Sequence, residues 1–110
     1  MSFILNIDTA ADIASVCLAE NEKVVGLVQN ESRNDHASWL HPAIDSLLKS
    51  NGLTVADLQA VAVNIGPGSY TGVRIGLSAA KGFCFATGIP LIAVSSLKIL
   101  AKAVQTEAQE

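Results

Sequence analysis

The reading of the fold turns on Val61-Ala62-Val63-Asn64-Ile65-Gly66-Pro67-Gly68-Ser69-Tyr70-Thr71-Gly72-Val73-Arg74-Ile75-Gly76. Val61 to Ile65 is rich in β-branched residues and reads as a buried strand. Gly66-Pro67-Gly68 stops it, since glycine reaches positive φ and proline donates no backbone hydrogen bond. Ser69 is placed to cap a helix by accepting from an N–H two or three residues on. That helix is predicted from Tyr70 to Thr87, with Gly88 and Pro90 as its stop. Strand, glycine turn and helix start can hold an anion or can let two elements pack tightly.

Spacing weighs against the two common phosphate motifs. A Walker loop needs two glycines five apart followed by Lys and Ser or Thr. The residue five after Gly66 is Thr71, and no lysine comes before Lys81. Gly66, Gly68 and Gly72 are one residue too wide for Gly-x-Gly-x-x-Gly. What remains is an anion contact at the N–H groups of Ser69 to Gly72. Asp8, Thr9, Gly68, Ser69 and Thr71 are its candidate residues.

The small residues after the turn carry a second message. Gly72, Gly76 and Ala80 recur every four residues. A mid-helix glycine costs roughly 1 kcal/mol relative to alanine, so a close approach is expected in return. The ridge predicts contact with another helix, of this chain or of a partner. Its companion is the first helix, where Leu40, Ile44, Leu47 and Leu48 form a core stripe and Trp39, Ala43 and Ser46 a second one. The predicted partner interface is therefore Trp39, Ala43, Gly72, Val73, Gly76 and Ala80, with self-pairing as a two-fold dimer when no partner is present.

Outward from these helices the rest follows in order. Phe3 to Ile7, Ile13 to Glu20 and Lys23 to Glu31 read as strands joined by short turns, an antiparallel meander. Asp8 is expected to cap the turn after the first. Pro42 sits near the start of the first helix and is cheap only if that helix properly begins close to His41 or if its first turn is bent there. Asn51-Gly52 ends it, and Thr54 to Asp57 fits a capping box. Ala60 to Ile65 and Leu91 to Val94 are strands, and Ser95 or Ser96 caps a last helix from Leu97 to about Gln105. The order β-β-β-α-β-α-β-α predicts an α/β fold: a mixed five-stranded sheet in which strands one, four and five are parallel. This is the element order of the ribonuclease-H-like half-domain of the actin and sugar-kinase group.

The 110 residues carry a net charge of −3, with 50% hydrophobic and 15% charged residues. That is material for one domain with a sizeable core, and the shortage of polar cover points to a partner surface. The acidic balance and scattered basic residues lack a nucleic-acid footprint, so any nucleic-acid contact of the chain is expected to be indirect. Cys17 and Cys84 have no metal-type spacing and read as buried reduced thiols of a cytoplasmic protein. No signal-peptide pattern and no apolar run of the ~20 residues of a membrane span is present. His36 and His41, about 140° apart on a helix, cannot share a metal and read as solvated.

At Leu5-Asn6-Ile7-Asp8-Thr9-Ala10, Arg33-Asn34-Asp35-His36, the long glycine stretch through Gly76, and Val94-Ser95-Ser96-Leu97, the sequence resembles the TsaB (YeaZ) family. The resemblance implies an actin-like (ASKHA) fold and a part in making N6-threonylcarbamoyladenosine (t6A) on tRNA. It implies a non-catalytic subunit that pairs with a catalytic TsaD and works with the ATPase TsaE. ATP and a metal are then expected in those partners, with no cofactor and no catalytic residue in this chain. Ser96 and Leu100 stand where the catalytic relative has a His-x-x-x-His metal pair, and leucine cannot ligate a metal. Family members carry a second actin-like lobe, so residues 1–110 are expected to be the N-terminal lobe alone. The rival expectation is half of an ATP-dependent phosphotransferase or ATPase, with Asp8 and the Gly66 to Gly72 turn at the phosphates. A peptidase activity finds no support in these residues.

Overall fold

In register, three apolar strands build the frame. A computed structural model describes residues 2–21, 23–31 and 35–95. The strands are β1 (Phe3–Asp8), β2 (Ala14–Glu20), β3 (Lys23–Asn30), β4 (Ala60–Asn64) and β5 (Leu91–Val94). They form one sheet in the order β3-β2-β1-β4-β5. The β1–β2 and β2–β3 pairs are antiparallel, and the β1–β4 and β4–β5 pairs parallel. Both the meander and the parallel set match the order read from sequence. The expected last helix, Leu97 to Gln105, lies outside the described residues.

Alternation decides which face is covered. Leu5 pairs with Leu18 and Val61, and Ile7 with Val16 and Val63, so these side chains share one face. All six are buried. Helices α1 (His36–Ser50) and α2 (Tyr70–Thr87) cover that face. α1 lies over β2 and β3, and α2 over β1 and β4. The predicted α1 stripe Leu40, Ile44, Leu47 and Leu48 is buried in the core. One strand departs from regular pairing. Leu18 faces Gly26 but Ala19 faces Val24, so Val25 is a bulged residue in edge strand β3.

Helix α1 starts at His36, so of the two starts that Pro42 left open the earlier one holds and the proline lies inside the helix. Trp39 N donates to Asp35 O at 2.9 Å, closing the first turn. Pro42 is tolerated because it is exposed, as is Ser38, whose carbonyl it leaves without a helical donor. The helix ends as expected: Asn51 N donates to Leu48 O, and Gly52 takes φ +69°. Asp57 Oδ2 accepts from Thr54 N at 2.8 Å, the expected box.

The largest correction concerns the glycine ridge. Gly72, Gly76 and Ala80 are buried, and they face the sheet of their own chain. A Cβ on Gly72 would run into the backbone carbonyl of Thr9. One on Gly76 would lie 2.6 Å from Thr9 Oγ1, 3.3 Å from Ile7 and 3.4 Å from Val63. The ridge thus lets α2 lie directly on β1 and β4, and no partner helix reaches it. Ala43, 6% exposed, is likewise interior.

Gly72→Ala is expected to destabilise the protein by about 1–3 kcal/mol or more, since the obstacle is backbone. Gly82, also in α2, has nothing within 4 Å of a built Cβ. Gly82→Ala should stabilise by roughly 0.5–1 kcal/mol. Urea unfolding of the two variants checks both signs.

Candidate docking groove between the two helices

The turn that opens α2 is closed by the chain itself. Gly66 has φ +98°, which only glycine adopts without strain, and Gly66 N donates to Asn64 Oδ1 at 2.9 Å. The Gly66–Pro67 peptide is cis. Ser69 N donates to Ala10 O at 2.8 Å. Ser69 Oγ accepts from Gly72 N at 3.1 Å, the predicted cap. Thr9, 1% exposed, donates from Oγ1 to Gly72 O at 2.5 Å. Asp8 Oδ1 accepts from Ala10 N at 3.1 Å, the turn cap expected of it.

These bonds bear on the anion reading. Two of the N–H groups that an anion would use, those of Ser69 and Gly72, already have protein acceptors. Gly68 packs on Ala10, where a Cβ would come within 2.6 Å of the carbonyl oxygen. Thr9 is buried and Thr71 belongs to the other side, along α2. Asp8 instead faces a small cavity of about 240 Å³ with Asn6, Ser15 and Cys17, on the sheet face away from the helices. The candidate set Asp8, Thr9, Gly68, Ser69 and Thr71 is thus divided among three environments. Among the described residues no three His, Cys, Asp or Glu side chains gather as a metal site would need.

A larger opening lies between α1 and α2. It is a groove of about 790 Å³. Ala37, Leu40 and His41 line it from α1; Thr71, Ile75, Ser78, Gly82 and Phe83 line it from α2. Tyr70 and Arg74 stand at the end where α2 begins. His41 meets Phe83 edge-on, ring centroids 5.8 Å apart. The Arg74 guanidinium lies 5.6 Å from the Tyr70 ring centroid, a cation–π contact. Among the described residues no carboxylate lines the groove.

The interface residues read from sequence fall elsewhere. Of Trp39, Ala43, Gly72, Val73, Gly76 and Ala80, only Trp39 and Val73 keep partial exposure, and none lines the groove. Trp39 packs against the core cluster. The lining residues Thr71, Ile75, Ser78 and Gly82 recur at helical spacing on the flank of the glycine ridge. Taking that ridge as the sheet-facing side would have pointed to them.

His36 corrects a further expectation. It is 7% exposed, with Nε2 3.1 Å from Asp12 O and Nδ1 3.3 Å from Asn30 Nδ2. It ties the first turn of α1 to the β1–β2 turn and to the end of β3, and so sets one wall of the groove. Cys17 and Cys84 are half-buried and not paired with each other. Burial pushes both thiols up from the ordinary range; at Cys84 a backbone hydrogen bond from Val61 partly opposes the rise.

The family profile for TsaD, tRNA N6-adenosine threonylcarbamoyltransferase, matches residues 11–110. The chain belongs to this TsaD family. Within it, similarity runs to TsaB members. The TsaB of Bacillus subtilis is 39% identical over 98 residues, covering 89% of this chain and 43% of that protein. The TsaB of Escherichia coli is 36% identical over 99 residues, covering 90% and 42%. The structure of YeaZ from Pseudomonas aeruginosa superposes with a TM-score of 0.88 at 34% identity, over 99% of this chain and 51% of that one. The chain thus spans about half the length of the TsaB relatives it matches. Thermus thermophilus RuvC, at TM-score 0.60 and 15% identity over 88% of this chain and 66% of its own, shares the fold alone. The TsaD-family half-domain is therefore ribonuclease-H-like, as the element order indicated. Among the described residues no helix is long and apolar enough to cross a membrane.

Two measurements check this site. His36→Ala removes two polar contacts at a buried position and should cost about 1–3 kcal/mol; hydrogen exchange should show faster opening at the start of α1 than at its end. At pH 8 the raised thiols carry less thiolate than free cysteine, so iodoacetamide should alkylate Cys17 and Cys84 more slowly than a cysteine peptide. Unfolding in urea should remove the difference.

Proposed function

We propose that the chain is part of an accessory subunit of tRNA t6A biosynthesis, and that it docks a TsaD-type catalytic subunit along the α1–α2 groove. The observation that carries the docking is the groove itself: a solvent-facing apolar channel between two helices whose inner faces are fully occupied by the sheet. The biosynthetic role rests on the TsaB relatives and on membership of the TsaD family. An amphipathic helix laid into such a channel is a common mode of recognition.

In this reading the chain performs no chemistry. ATP and metal reside in the TsaD-type and TsaE-type partners, and tRNA touches this subunit only indirectly, in keeping with the net charge of −3. The work is done in the cytoplasm. Self-pairing loses the basis it had in the glycine ridge, because that ridge lies against the chain's own sheet.

Ser78 is exposed and lines the groove, so Ser78→Trp fills the channel without entering the core. In the full-length protein this variant should keep its melting temperature and lose co-purification with the TsaD-type partner. Undiminished capture would remove the groove from the proposal.

A further inference from the structure

Helix α1 closes on Asn51, and Asn51 is followed by Gly52. The other asparagines of the chain precede Ile, Glu or Asp. An Asn-Gly pair is chemically distinct. With no side chain on the glycine, its nitrogen can approach the amide carbon of the asparagine before it. In the folded chain that nitrogen is held. Gly52 N donates to Lys49 O at 3.1 Å, and Leu53 N to Leu48 O at 2.9 Å. The Asn51 amide is held too, donating from Nδ2 to Leu47 O at 2.9 Å. The Asn51 ψ of 8° turns Gly52 N away from Cβ, whereas closing a five-membered imide ring needs the two eclipsed. Both residues are exposed, so water reaches them.

We propose that Asn51 is a site of spontaneous deamidation, gated by opening of the last turn of α1. Once the turn opens, hydroxide takes the proton of Gly52 N. The nitrogen attacks Asn51 Cγ. The N–Cγ bond forms, the Cγ–Nδ2 bond breaks, and ammonia leaves with a proton drawn from water, which regenerates hydroxide. A further water opens the cyclic imide at either carbonyl and leaves aspartate or isoaspartate at position 51. No electrons are gained or lost, and water is the co-reactant.

The product fits poorly where it is made. The amide that donates to Leu47 O becomes a carboxylate, which can only accept. Its charge stands at the C-terminus of α1, where the carbonyl ends of the helix disfavour an anion. Isoaspartate also adds a methylene to the backbone just before Leu53, which packs against the core. This last turn rests on strand β3: a Cβ on Gly26 would lie 2.5 Å from Leu47 Cδ1 and 3.5 Å from Asn51 Nδ2. The modification therefore loosens the end of α1 against β3, and it is one-way.

The test is peptide mapping by mass spectrometry of the full-length protein held at pH 8, in buffer and in urea. Asn51 should convert in both, at least about tenfold more slowly in the folded protein. It should convert ahead of the other asparagines of residues 1–110. Leu53→Ala loosens the turn and keeps the Asn-Gly pair, so it should speed conversion in buffer and leave the rate in urea unchanged. In Asn51→Asp, hydrogen exchange at the Gly52 and Leu53 amides should be roughly two- to fivefold faster than in wild type, with the start of α1 unaltered. Equal rates in buffer and urea overturn the proposal, as does an Asn51 that stays intact in buffer over many half-lives of the unfolded chain, or another of these asparagines reacting first. Unaltered exchange in Asn51→Asp overturns the loosening of α1.

Discussion

Everything on the helical side of this half-domain depends on α2 touching β1 with almost nothing in between. At Gly72 the helix backbone meets the carbonyl of Thr9, and Thr9 Oγ1 donates back to Gly72 O. A side chain at either glycine of the ridge would lift the helix off Ile7 and Val63. The close approach also explains the turn before it. To reach the sheet so early, the chain leaves β4 through Gly66 at positive φ and settles Gly68 and Ser69 on Ala10. A motif that resembles a phosphate cradle is thus a clamp between β1 and α2.

With that clamp set, the outward face of α2 has a fixed orientation. Ile75, Ser78 and Gly82 turn toward α1, whose own first turn is held by His36 between Asp12 and Asn30. The groove exists because both helices are pinned to the sheet at their starts by polar contacts while their facing flanks carry small or aromatic residues. Helices meeting through larger facing residues would close the channel. Here Ala37, Ser78 and Gly82 leave it open.

Element order, strand direction and the α1 core stripe were legible in the residues, because alternation and helical periodicity report burial directly. The ridge at Gly72, Gly76 and Ala80 was legible as a close contact but not as contact with a sheet. Small residues permit approach without saying to what, and only the registers of β1 and β4 settle it. His36 was missed for a related reason. A histidine just after a polar linker reads as solvated, whereas its partners come from residues 12 and 30, brought near by the meander. Pro42 leaves the start of α1 open in the residues alone, since the sequence does not reveal that the orphaned carbonyl of Ser38 belongs to an exposed residue.

The bulge at Val25 has a consequence for how the chain keeps company. Strand β3 is an outer strand, with Val24 and Leu27 more than half exposed and Val25 39% exposed. A straight ribbon with those residues would invite another chain to zip along its open hydrogen-bonding groups. The extra residue twists the ribbon and breaks its repeat, and Lys23 puts a charge at one end. The bulge thus works against strand-to-strand pairing along this edge. In the proposed docking, recognition is left to the helical side, where the groove between α1 and α2 supplies the shape.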